Sequence, residues 1–150
     1  MTGKDKKHPP LSEDKPKDEP RDKPRDKLSN FGQHMGYELG QWSENQATVI
    51  LTIAECHLNR AGIMHGGVLA TLIDTACGYA IIHNPDPTKQ RRAVTLSLTT
   101  LFTAPANVGD TLYATGIYKG GGKSTKFLSC EVFNQHKQLV GQGEAVMKIF

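Results

Sequence analysis

The sequence predicts an α+β domain, and three observations carry that prediction. One long apolar helix runs from about Gly66 to His83, and Asn84-Pro85-Asp86-Pro87 ends it. After it, β-branched and alternating runs recur at Ala93–Phe102, Thr111–Lys119, Lys126–Asn134 and Leu139–Ile149. Turns at Asn107-Val108-Gly109, Gly120-Gly121-Gly122 and Asn134 to Gln138 join them, and strands joined by short loops run antiparallel.

The elements follow from residue 1 onward. Residues 1–27 hold nine Lys or Arg, seven Asp or Glu and five of the chain's eight prolines, with only Met1 and Leu11 as sizeable apolar groups. Such a segment cannot offset its ordering entropy by burial, so it reads as a disordered, charged arm ahead of one domain over 28–150. Ser29 caps a short helix to Gly36. Tyr37–Trp42 alternates weakly, Ser43-Glu44-Asn45 turns, and Ala47–Ile53 is a β-branched strand. Glu55–Met64 reads as irregular. On the strand Ala93–Phe102, alternation places Val94, Leu96 and Leu98 on one face and Thr95, Ser97 and Thr99 on the other.

Composition narrows the function classes. The net charge is +3, and the arm's +2 leaves the domain near +1, which is no footprint for nucleic acid. No apolar run reaches the roughly 18 residues of a membrane span, and no secretory or transit pattern opens the chain. Cys56, Cys77 and Cys130 are odd in number and lack metal-type spacing, as do the histidines; free thiols in a reducing cytoplasm are the simplest reading.

The helix carries the chemistry. Val68, Leu69, Leu72, Ile73, Ala76, Tyr79 and Ala80 gather on its bulky face. Gly67, Ala70, Thr71, Cys77 and Gly78 form a small-residue face centred on Asp74, with Ile81 at the far end. Asp74 is the helix's only carboxylate. A desolvated carboxylate costs several kcal/mol unless compensated, so either a structural hydrogen bond or general-base chemistry must account for it. His65-Gly66-Gly67 lies at the helix mouth, where approachable backbone N–H groups and the positive end of the dipole suit an oxyanion. Asn59 and His65 read singly as loop or capping residues. Together with Asp74 and the glycines they compose a site for acyl transfer to water.

Asn59-Arg60-Ala61-Gly62-Ile63-Met64-His65-Gly66-Gly67, with Asp74 seven positions on, resembles the signature of the PaaI-like hotdog thioesterases (the phenylacetyl-CoA thioesterase type). The stretch from Ala93-Val94-Thr95 through Phe102 to Pro105-Ala106 and Gly109-Asp110 is similar to that family's next strand and turn. The resemblance covers roughly residues 30–150. It implies a hotdog fold, a central helix wrapped by an antiparallel sheet, assembled as dimers and usually as dimers of dimers. It implies hydrolysis of an acyl-CoA with an aromatic or a medium to long acyl group, and needs neither metal nor cofactor. Asp74 would act as general base or nucleophile, with the Thr95 hydroxyl helping to hold the water. Asn59, His65 and the Gly66 N–H would come from the partner subunit and bind the thioester carbonyl. Gly67 would lie against the substrate. Thr95 stands for a frequent Ser, and Ala104 replaces the basic or hydroxyl residue often found before the proline.

Other candidates are weaker. Gly122-Lys123-Ser124 ends like a P-loop, but Ile117 stands where the motif needs glycine and a strand follows. Lys119, Lys123 and Lys126 around that turn are candidates for the CoA phosphates. Of Arg91-Arg92 only one would serve if both lie on a strand, and Arg92 is the candidate. Cys77 has no basic neighbour in the helix and reads as an inert core residue. Tyr79, Ile82 and Phe102 are candidates to line an apolar acyl pocket. Two further readings remain: a non-catalytic acyl-CoA-binding hotdog module, and a hydroxyacyl-thioester dehydratase, whose proline-rich lead-in Ile63–Gly67 does not match.

Overall fold

The computed structural model describes residues 28–89 and 91–150, so the arm read over residues 1–27 lies outside the described residues. Helix α1 (Asn30–Met35) opens the described chain. The Ser29 hydroxyl caps it by accepting from the Gly32 N–H, and Gly36 closes it in the left-handed conformation. Strands β1 (Glu38–Ser43) and β2 (Gln46–Thr52) form a hairpin. A loop containing a short 3-10 turn at Glu55–His57 leads into α2 (Gly66–Ile82). Four strands follow: β3 (Ala93–Phe102), β4 (Thr111–Gly121), β5 (Thr125–Asn134) and β6 (Leu139–Ile149).

They form one antiparallel sheet in the order β1-β2-β4-β5-β6-β3. The consecutive hairpins β4-β5 and β5-β6 build its centre. The link from β2 to β3 crosses the whole sheet, and α2 fills that crossing and packs against every strand. Leu69, Leu72, Ile73 and Ala76 are fully buried against Val49, Leu51, Leu112, Ala114 and Val132. Each fully buried aliphatic side chain of this kind contributes about 1.5–3 kcal/mol of transfer free energy. Close approach is built in at Gly116, where a Cβ would come within 2.5 Å of the Ala76 backbone.

Two local expectations fail. Cys77 and Ile81 belong to the buried face, not to the small-residue one. At the sheet's centre line the helix is hemmed in on more than one side, and Cys77 meets Cys130 of β5. That contact and burial push the Cys130 thiol well above its ordinary range. The accessible strip of α2 is thereby narrowed to Gly66, Gly67, Ala70, Thr71, Asp74, Thr75, Gly78 and Ile82.

The second failure is on β3. Thr95 pairs with Met147 and Ser97 with Val146, so Leu96 is an extra residue in a bulge. Simple alternation breaks there: Thr95 turns to the helix side with Leu98, while Ser97 and Thr99 face away. A strand-long period of two cannot hold across one inserted residue.

Candidate active site

The bulge aims Thr95 at the helix. Its Oγ1 donates to Asp74 Oδ1 at 2.5 Å, which fixes the carboxylate and leaves Oδ2 free of that bond. Asp74 is half-buried, and Thr95 is exposed on the outer strand. An open cleft of about 220 Å³ lies beside them, walled by Tyr37, Tyr79, Ile82 and Met147. Tyr37 follows α1 and is buried beneath it, so the first turn of the described chain closes one side of this cleft.

The loop before α2 is tied to itself. Asn59 N–H donates to the Ile63 carbonyl, His65 N–H to the His57 carbonyl, and Leu58 bridges to Met64. Asn59 Oδ1 accepts from the N–H groups of Ala61 (2.8 Å) and Ile63 (3.3 Å). His65 Nδ1 accepts from the Gly67 N–H at 2.8 Å and caps α2. Each side chain thus has its acceptor atom satisfied internally. What it presents outward is a donor: Asn59 Nδ2 and, in the neutral ring, His65 Nε2–H. His57 is different: it is buried, its Nδ1 accepts from Ala54 and its Nε2 donates to the Met35 carbonyl, so it only braces the loop.

The glycine pair supplies one free donor, not two. The Gly67 N–H is spent on the His65 cap, because the first helical N–H groups have no intrahelical acceptor and the nearest side chain takes one. Gly66 N–H has no hydrogen-bond partner among the described residues. The Phe102 ring lies over Gly66, and a Cβ there would come 3.0 Å from it.

The predicted site residues therefore fall into two groups. Asp74 and Thr95 are together; Asn59, His65 and Gly66 are at the helix mouth. Eight residues of helix place Gly66 about 12 Å along the axis from Asp74, too far for one carbonyl to touch both. Phe102 lies with the second group, apart from Tyr79 and Ile82, because β3 runs antiparallel to α2. The apolar trio expected of one pocket is divided within the chain.

The basic candidates gather at one end of the sheet. Arg91 and Arg92 precede β3, so strand alternation does not separate them, and both line a larger cleft of about 710 Å³ with Val94 and Phe150. Gly78, Ile82 and Ala93 belong to both clefts. Phe150 N–H donates to the Arg92 carbonyl and Ile149 N–H to that of Ser124, stitching the glycine-rich turn to this end. Lys119 and Lys123 are exposed there, whereas Lys126 is half-buried and donates to the Gly122 carbonyl at 2.8 Å. Lys148, between Val94 and Thr125 in the sheet, joins the cluster and was missed in the sequence. Its alternating, exposed position on a strand carries no signal of its own.

Comparison with known proteins follows the same outline. The family model for the thioesterase superfamily matches residues 61–140. Acyl-coenzyme A thioesterase PaaI of Escherichia coli is 33% identical over 106 residues, covering 71% of this chain and 72% of that protein. A Pseudomonas aeruginosa protein is 40% identical over 72 residues, 48% of this chain and 52% of its own length. The solved structure of E. coli PaaI superposes with a TM-score of 0.74 at 29% identity, over 81% of this chain and 85% of that one. A Streptococcus mutans protein bound to acetyl CoA superposes at 0.68 and 27% identity, over 76% and 88%.

Proposed function

The chain belongs to the thioesterase superfamily, on its PaaI-like side, and from that premise we propose that it hydrolyses acyl-CoA at a site shared by two subunits. The observation that carries this reading is the division of one chemistry over one helix. Asp74 and Thr95 sit in the middle of α2 and near the start of β3. The donors Gly66, His65 and Asn59 sit at the mouth of α2, where the Phe102 ring lies over Gly66.

Among the described residues, strand β3 is an outer strand with nothing beyond it in the sheet. Two copies of β3 paired antiparallel about mid-strand bring residues near the start of one against residues near the end of the other. The Thr95 region then meets the partner subunit's Phe102, and with it the partner subunit's Gly66. The two halves of the site close in trans, twice per dimer. Dimers of dimers, which the sequence resemblance implies, are compatible with this pairing because it leaves the outer sheet face uncovered.

In this reading Asp74 Oδ2 takes a proton from water while Thr95 holds the carboxylate by Oδ1 and offers its own oxygen to the water. The hydroxide equivalent adds to the thioester carbonyl carbon. The developing oxyanion is met by the Gly66 N–H, Asn59 Nδ2 and His65 Nε2 of the other subunit. As the carbonyl re-forms, the C–S bond breaks and the sulfur leaves with a proton, giving free acid and CoA. The acyl limb lies in the cleft of Tyr37, Tyr79 and Met147. The CoA limb passes Gly78 and Ala93 toward Arg92, Arg91 and the lysines near the glycine-rich turn.

A hydrolysis assay over a panel of acyl-CoAs, read by free thiol release, tests this. The parent chain is expected to turn over at least one member, and Asp74→Asn to lose about 10²–10⁴-fold in kcat while remaining folded. Turnover near the parent's by Asp74→Asn contradicts the assignment. Binding of acyl-CoA by the parent without hydrolysis supports the non-catalytic module instead.

A further inference from the structure

We propose that Trp42 is a positioning residue that sets acyl selectivity, by fixing the last turn of α2 as a wall of the Asp74 cleft. The inference rests on the hydrolase reading above and goes beyond it to a residue outside both clefts. Trp42 lies on β1, at the edge of the sheet opposite to β3. The pairing of β1 with β2 is irregular between Leu39 and Trp42, and that irregularity turns the indole onto the helix.

Three contacts follow. Trp42 Nε1 donates to the Tyr79 carbonyl at 2.8 Å. The indole also packs edge-on against the Tyr79 ring at 5.5 Å and the His83 ring at 5.1 Å. Tyr79 and Ile82 wall the cleft beside Asp74, and Trp42 itself does not reach it. One side chain from a remote strand thus ties both the backbone and the ring of a cleft wall. Acyl groups long enough to press on Tyr79 read that tie, and an acetyl group does not.

Trp42→Phe keeps an aromatic ring and removes the N–H; Trp42→Ala removes both. The quantity to measure is kcat/KM for decanoyl-CoA divided by that for acetyl-CoA. For Trp42→Phe this ratio is expected to fall about fivefold, the size of one net hydrogen bond, through KM and with kcat on acetyl-CoA within about twofold. Trp42→Ala is expected to lower it further. A role limited to stability lowers both substrates in proportion, and an unchanged ratio in Trp42→Phe overturns the proposal. Calorimetric Kd values for the same two thioesters, taken in an Asp74→Asn background, supply the ratio without turnover. If the parent hydrolyses no member of the acyl-CoA panel, the hydrolase reading fails, and the Kd ratio decides on Trp42 by itself.

Discussion

The two outer strands of the sheet, β1 and β3, are edges of opposite character. On β1, Trp42 is turned inward and hydrogen-bonded to α2, and Leu39 is half-buried. On β3, Val94, Leu96, Leu101 and Phe102 are between 48% and 61% exposed, and the Thr95 hydroxyl that holds Asp74 is exposed with them. A strand edge with open backbone groups and exposed apolar side chains is a template for another strand. One edge is packed onto its own chain, and the other is the edge that the proposed shared site assigns to a second copy. The difference teaches that, in the proposed reading, the site and the assembly are one structural problem.

Charging the two edges tests the contrast most severely. Leu96→Lys with Leu101→Lys is expected to convert dimers to monomers in sedimentation velocity and to reduce thioester hydrolysis to background, since like charges face each other across a two-fold. Gln41→Lys on β1 should change neither. Monomers that retain full activity would break the comparison.

A smaller effect is expected on the passage between the clefts. A Cβ at Gly78 meets nothing within 4 Å, and the residue lines both clefts, so Gly78→Leu projects into the space that they share. We expect KM to rise about tenfold for every acyl-CoA with kcat little changed, the signature of lost uniform binding. Steady-state kinetics with a short and a long thioester distinguishes this from the chain-length effect expected of Trp42.

The smallest effect lies away from both edges. Asp110 accepts from the Asn107 N–H and from Gln135 Nε2, and these bonds hold its carboxyl below the usual range. A lowered folded-state pKa adds stability above the ordinary value near 4, and that stability is lost as pH falls through the lowered one. Asp110→Asn should therefore lower Tm slightly at pH 7 and leave it unchanged near pH 2. Equal shifts at both pH values would assign the effect to packing.

Much of this fold was legible in the sequence because its periods are long and clean. The bounds of α2 agree to one residue, and those of β3 and β6 agree outright. Ser29 marked the N-cap of α1 by its chemistry alone. Asp74 stood out because a lone carboxylate in an apolar helix is costly. Its partner Thr95 came from a family resemblance, whereas alternation alone set it on the face opposite Leu98, because a bulge leaves no mark on hydrophobic periodicity. The cap that consumes the Gly67 N–H was equally hidden, since His65 can cap or face solvent with the same sequence. Trp42 was illegible for a third reason: its role depends on where β1 lies relative to the end of α2, which no local pattern encodes.

The measurement that tests the shared site most directly is complementation between two inactive chains. Asn59→Ala retains Asp74, Asp74→Asn retains Asn59, and each homodimer lacks a complete site. Mixed at equal amounts with subunit exchange confirmed by native mass spectrometry, half of the dimers are hybrid and each holds one complete site. Activity is then expected to return to about a quarter of the parent's in a two-fold dimer with independent sites. No recovery above the separate variants, with exchange confirmed, would contradict a site built from Asp74 of one subunit and the helix mouth of the other.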